Sequence, residues 1–145
     1  MNWSIISVKR LKEYKARKES LSGLSEEIEV LKDKFTSVRS LVPDKISDGS
    51  GKTAFNDFLI NNISARCELS FNKRIVEREI KLTEKGLSVL SSEERHILDL
   101  FFITCTKDHI YRLCDELHIS TSELYRRKDE ALRKFTIACY GIVDV

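Results

Sequence analysis

Apolar residues recur along this chain at the three- and four-residue steps of α-helices. Leu24, Ile28, Leu31, Phe35 and Val38 step by 4, 3, 4 and 3, the spacing of a coiled-coil seam. Before them Leu11, Tyr14 and Leu21 step by 3 and 7, with Lys18 at the missing seam position. The three-residue step from Leu21 to Leu24 shifts the register, and Gly23 lies at the shift, where a kink or weak point is expected. Residues 3 to about 38 are thus predicted as one long helix. The pattern breaks at 39–53, which holds the only Pro and two of the five Gly among Ser and Asp. This stretch reads as a flexible linker that lets the chain reverse. Helical spacing resumes from 54 to about 88: Phe55, Leu59 and Ile63 step by four, and Leu69, Val76, Ile80 and Leu87 by 7, 4 and 7. Asn62, Arg66 and Lys73 interrupt this second seam. Neither long helix buries its stripe alone, so the two are expected to pair as a hairpin, within one chain or between two.

The pattern changes after residue 88. Ser91 with Glu94 is a capping box that opens a short helix, whose face is Ile97, Leu98, Phe101 and Phe102. Cys105 to Asp108 connects, with Thr106 or Asp108 available to cap a helix that begins near His109 and carries Ile110, Leu113 and Leu117. Ile119 falls in a three-residue turn. Ser120 is the next N-cap, and Glu123 stands at the capping-box position behind it. Leu124, Ala131, Leu132 and Phe135 then line one face of a helix expected to run to near Gly141. Its other face offers Thr121, Ser122, Tyr125, Arg126, Asp129 and Arg133 to solvent. Two helices, a tight turn and an outward polar face of hydroxyls, Tyr and Arg form the helix-turn-helix layout.

Composition narrows the classes. A hydrophobic content of 41% suffices for a core, and 33% charged residues with a single Pro favour long exposed helices over a sheet. The net charge of +2 is too small to imply a nucleic-acid partner, so any DNA affinity has to come from a local patch. One such patch precedes residue 20, where Lys9, Arg10, Lys12, Lys15, Arg17 and Lys18 face Glu13 and Glu19. It reads as a solvated helix face or as a surface for phosphate or an acidic partner. The four Cys lie at least nine residues apart, which argues against a zinc knuckle and for reduced, buried thiols. His96, His109 and His118 fit no metal-ligand spacing, and no nucleophile–base set stands out, so neither cofactor nor enzymatic activity is expected. Gly49-Ser-Gly-Lys-Thr53 lacks the first Gly of a phosphate loop, whose position is Ile46, and reads as linker. No stretch reaches the roughly 20 apolar residues of a membrane span, and the N-terminus turns charged too early for a signal peptide. A cytoplasmic protein is expected.

The stretch Leu113-Cys-Asp-Glu-Leu-His-Ile-Ser-Thr-Ser-Glu-Leu-Tyr-Arg is similar to the helix-turn-helix of region four of sigma-70-type factors. That pattern runs Ile-Ala-x-x-Leu-Gly-Val-Ser-x-x-x-Val, with a helix ending Ala-Leu-x-Lys-Leu. Leu113 stands at the Ile, Cys114 at the Ala, Leu117 at the Leu, Ile119 at the first Val and Leu124 at the second. Ser120 matches, and Ala131-Leu-Arg-Lys-Phe135 matches the ending. Leu90-Ser-Ser-Glu-Glu-Arg-His-Ile-Leu98 resembles the opening of the same domain. The likeness covers about 46 residues. It departs at His118, which replaces the turn glycine and so puts a side chain where positive φ is required. No counterpart of sigma region two is present. Together with two long helices in front, the layout resembles the ArpU/RinA-type phage regulators. That resemblance implies activation of late genes of a phage or mobile element.

The expected architecture is all-α: a coiled-coil helical hairpin over 1–88, then a sigma-region-four-like helix-turn-helix domain over 89–145. The expected function is sequence-specific binding of double-stranded DNA. Arg126 would read guanine, with Tyr125 beside it. Ser120, Thr121 and Ser122 would meet phosphate at the helix N-terminus, and Arg127, Lys128, Arg133 and Lys134 are further phosphate candidates. Residues 120–135 carry five basic and three acidic side chains, so one copy binds weakly. That points to a homodimer and to host RNA polymerase as a further partner. A small-terminase-like packaging protein and a coiled-coil interaction adaptor are the competing functions.

Overall fold

The computed structural model describes residues 1–40 and 49–144. All of its elements are helical: α1 (Trp3–Ser40), α2 (Gly49–Ser88), α3 (Ser92–Leu98), α4 (His109–Leu117) and α5 (Thr121–Tyr140). A π-helical turn, Asp99–Ile103, follows α3 directly. Among the described residues the β pairing is an isolated antiparallel bridge between Asn2 and Asp144. The all-α expectation is met, and none of these helices is long and apolar enough to cross a membrane.

α1 runs as helix through Gly23, where a kink or weak point was expected. The cost of one glycine, about 1 kcal/mol, is small against 38 residues of continuous backbone hydrogen bonding. The expected linker at 39–53 is also too long, since Arg39 is still in α1 and residues 49–53 form the start of α2. Gly and Ser are tolerated at a helix start, where intrahelical partners are missing in any case. Residues 41–48 of that expected linker lie outside the described residues.

The chain packs as two compact units. One combines Met1–Lys18 with Arg78–Val145, and the other is Glu19–Glu77. A boundary at 88/89 was expected from the change of pattern. By packing, the start of α1 and the end of α2 group with the C-terminal residues.

The first unit has a dense core. Leu11, Leu87, Leu98, Ala131 and Phe135 form one buried cluster, and Ile97, Leu100, Leu113 and Leu124 a second. Gly86 allows α2 to approach α5, because a Cβ there would lie 2.6 Å from both Cys139 Sγ and a Phe135 ring carbon. The N-terminus is clasped to the C-terminal tail. Trp3 stacks on Tyr140 at 4.8 Å, and its backbone N–H donates to the Val143 carbonyl at 3.0 Å. Ser7 and Thr136 are both fully buried and share a hydrogen bond of 2.9 Å. The buried Arg10 donates to the Tyr140 hydroxyl at 2.7 Å and to the Glu79 carbonyl at 3.1 Å, and pairs with the Glu79 carboxylate. Arg17 pairs with Glu13 and Glu79. Two of the six cations in the early basic stretch are therefore internal ties of this unit.

The second unit is thinner. Among its described residues Ile28 is the one buried apolar side chain. Asn62, at an apparent interruption of the seam, is buried and donates to the Leu31 carbonyl at 2.8 Å. Arg66 donates to Asn62 at 2.9 Å and lies 4.8 Å from the centre of the Phe35 ring. A buried Asn with its hydrogen bonds met fixes the register of paired helices at some cost in stability. Ile63, expected on the seam, is exposed instead. Each four-residue step overshoots a helical turn by about 40°, so the run Phe55, Leu59, Ile63 rotates off the face that Asn62 keeps.

Candidate nucleic-acid interface

The sequence-predicted site residues all lie on α5 or at its N-cap, and local chemistry determines how they are presented. α4 ends at His118, which takes the left-handed conformation (φ 53°, ψ 47°) and donates its backbone N–H to the Cys114 carbonyl. This is the position where the sequence departs from glycine, and the positive φ is indeed adopted. A histidine pays roughly 1–2 kcal/mol for it. Ile119 tucks against the second core cluster. Ser120 then caps α5, its Oγ accepting from the Glu123 N–H at 3.2 Å.

At the head of α3 both halves of the capping box form, Glu94 N–H to Ser91 Oγ and Ser91 N–H to Glu94 Oε1, each at 3.2 Å. At Ser120 only the first half forms. Glu123 turns away from the cap because two guanidinium groups compete for it. Arg126 holds it in a bidentate pair at 2.9 and 2.7 Å, and Arg127 donates to it at 3.0 Å. These bonds, that from Arg126 first, pull the Glu123 carboxyl down to about 2 from an ordinary 4.5. Arg126 also reaches Glu130 at 3.2 Å, and Arg127 also pairs with Glu93 at the start of α3. α4 lacks a side-chain cap altogether. Its N-cap, Asp108, makes no such bond, and the Thr106 hydroxyl is buried without a partner.

The predicted residues therefore divide. Thr121, Ser122, Tyr125, Arg126 and Arg133 are exposed, as is Ser120. Ser122, Arg126, Asp129 and Arg133 follow one another along the outer face at helical steps. Arg133 has no ion-pair partner among the described residues, which leaves it available to an anion. Arg127 is half-buried and bridges α5 to α3. Lys128 is also half-buried, pairs with Asp129 at 2.8 Å and lies over the rings of Phe101 and Tyr125. Tyr125 leans edge-on against Phe101 at 6.0 Å. Lys134 pairs with Glu94 at 3.0 Å, which raises its pKa. Arg126, Asp129, Glu130 and Arg133 cancel in charge across the outer face.

Sequence reasoning missed the part played by Glu93, Glu94 and Glu130. Their signal was present for Glu130, four residues from both Arg126 and Lys134, but the α3 contributions need tertiary structure. A second surface cluster joins α3 to α4, where His96 bonds Glu116 at 2.8 Å and Arg112 donates to it at 2.9 Å. Arg112 and His96 lower the Glu116 pKa. Among the described residues no group of His, Cys, Asp and Glu is arranged to hold a metal ion. All four cysteines are free. Cys114 and Cys139, whose helical positions suit a small apolar residue, are partly buried, while Cys67 and Cys105 are exposed. Burial raises the Cys139 thiol to about 11.

Comparison of the chain with protein-family models, with curated proteins and with solved structures finds no match.

Proposed function

We propose that this chain is a cytoplasmic, sequence-specific DNA-binding transcriptional regulator that acts as a homodimer and recruits host RNA polymerase. In this reading α4 and α5 are a sigma-region-four-like helix-turn-helix, and α1 with α2 is a coiled-coil arm. The resemblance to ArpU/RinA-type regulators extends the reading to activation of phage or mobile-element late genes, without catalysis or a cofactor. The observation that carries it is the presentation of α5. A left-handed residue at His118 turns the chain sharply, Ser120 caps the helix, and the first turns expose Thr121, Ser122, Tyr125 and Arg126.

The mechanism follows from the ion pairs. Arg126 contacts guanine only by exchanging Glu123 and Glu130 for the base edge. That contact replaces a bidentate pair with Glu123 and a single bond to Glu130, which keeps affinity low. Arg133 needs no such exchange and contacts phosphate directly. Arg126→Ala should cost about 1–3 kcal/mol at one base position and relax specificity there. Arg133→Ala should weaken binding to every sequence and reduce the salt slope by about 1. Glu123→Gln removes the competing carboxylate and should tighten binding. Gel-shift titration against duplexes selected from a random pool measures all three.

The charge balance of the outer face favours one second reading, an interaction adaptor whose α5 no longer reads DNA. Selection from random duplexes that enriches no motif, with Glu123→Gln equally inert, would support the adaptor over the regulator.

A further inference from the structure

In the second unit α2 has a covered side and an exposed apolar one, which meets no partner among the described residues. The covered side holds the buried Asn62, bonded to Leu31 of α1, and the partly buried Leu69, Lys73 and Val76. Away from that side Ile60, Ile63, Phe71 and Ile75 are 59%, 44%, 58% and 44% exposed, and the exposed Cys67 lies among them; Ile63 and Cys67 also border a groove shared with Ile28 and Lys32 of α1. Residues of an α-helix advance by about 100° each, so these five positions fall within about 120° of one another. They make a continuous stripe, about 22 Å long from Ile60 to Ile75 at the helical rise. Scattered exposed apolar residues need no explanation, but a contiguous stripe of this kind marks an interaction surface.

The order of residues along the stripe identifies the occupant. Counted from Cys67, Ile63 lies four residues before and Phe71 four after, while Ile60 lies seven before and Ile75 eight after. The stripe is therefore nearly its own mirror in sequence. We propose that a second copy of this chain docks on it antiparallel, α2 against α2, with the two Cys67 residues facing each other across the two-fold axis. Ile60 then meets Ile75 of the other copy, and Ile63 meets Phe71, as an isologous interface requires. Charge selects the same direction. Asp57 lies toward one end of the stripe and Arg74 toward the other, both exposed. An antiparallel copy sets each Asp57 opposite Glu77 of its mate, with Arg74 three residues before that position and Arg78 one after it, whereas a parallel copy sets Asp57 against Asp57 and Arg74 against Arg74. Glu68 approaches its own mate near the axis, at the rim, where water and salt screen it. Five side chains on one helix make a small contact beside the about 800 Å² per partner of a standard interface, so this dimer dissociates on dilution. The inference stands on α2 alone and is independent of whether α5 binds DNA.

The full chain, without DNA, tests it by two measurements. Sedimentation equilibrium over a wide concentration range should show a monomer–dimer equilibrium. Phe71→Glu should move it to monomer with helical circular dichroism and thermal unfolding unchanged, because the ring is mostly in water in the single chain. A short bis-maleimide should join two chains through Cys67. Cys67→Ser should abolish that product and Cys105→Ser, at the other exposed thiol, should leave it. A chain that stays monomeric at the highest concentration overturns the proposal. So does a dimer that survives Phe71→Glu, or a crosslink that survives Cys67→Ser.

Discussion

The same kind of helical sequence produces two quite different interiors in this chain. In the unit formed by residues 1–18 and 78–145, nine apolar side chains gather in two buried clusters, and seven of them, Phe135 included, are wholly removed from water. In the unit of residues 19–77, Ile28 is, among the described residues, the one buried apolar side chain, beside a hydrogen-bonded Asn62, while Phe71 and three isoleucines face out. Two paired helices have one contact face each, and a helix pair alone encloses little volume. The first unit escapes that limit because α3 and α5 bring Leu98, Ala131 and Phe135 against Leu11 and Leu87, and α4 closes a second cluster with them. The lesson is that heptad spacing predicts a face, and the number of elements meeting at that face decides whether a core results.

The largest expected difference compares two phenylalanines. Phe135→Ala empties a site with no solvent exposure and should cost about 3–5 kcal/mol in denaturant unfolding. Phe71→Ala removes a ring that is 58% exposed and should change the stability of the single chain by less than about 0.5 kcal/mol. Equal losses at the two positions would break the contrast between the units. Hydrogen exchange sharpens it further, since amides around Phe135 should open only with global unfolding and those around Phe71 earlier.

Glycine supplies the next test. Gly86→Ala places a methyl group 2.6 Å from Cys139 Sγ and from the Phe135 ring, and that ring is fully buried with no room to yield. Overpacking of this kind should cost about 1–3 kcal/mol and lower the melting temperature. A smaller effect is expected at the turn before α5. His118 sits at φ 53°, a conformation glycine adopts freely. His118→Gly should stabilise the chain by about 0.5–1 kcal/mol, the relief of the left-handed backbone being partly offset by a more flexible unfolded state. A destabilised His118→Gly variant would show that the imidazole makes a compensating contribution.

Much of the first unit was legible in the sequence, for reasons that are local. Ser91 and Glu94 announced the start of α3, Gly141 the end of α5, and periodicity picked out Ile97, Leu98, Leu113, Leu124, Ala131 and Phe135 as interior. Leu100 was missed because the π-helical turn at Asp99–Ile103 inserts an extra residue per turn and rotates the face past the 3.6-residue pattern. The clasp of Trp3 and Arg10 on Tyr140 joins residues about 130 apart, a pairing that no local spacing encodes. At the candidate site the residue types and the outward face were legible. Their mutual neutralisation was only half so, because Glu123, Arg126 and Glu130 share a helix while Glu93 and Glu94 come from α3.

The smallest predicted effect returns to the thinner unit and carries the opposite sign. A Cβ built on Gly23 meets nothing within 4 Å, and α1 is continuous through it. Alanine there adds helix propensity and restricts the unfolded chain without touching a neighbour, so Gly23→Ala should stabilise by about 0.5–1 kcal/mol. The same substitution is thus expected to harm one unit and help the other. The cause in both cases is what surrounds the backbone: crossing helices at Gly86, open solvent at Gly23. If Gly23→Ala proves destabilising, α1 must bend at that point in solution, and the register shift between Leu21 and Leu24 would regain the meaning its spacing suggests. Thermal unfolding of the single variant and of the Gly23→Ala/Gly86→Ala pair decides this, because sites so separate in the chain should contribute additively.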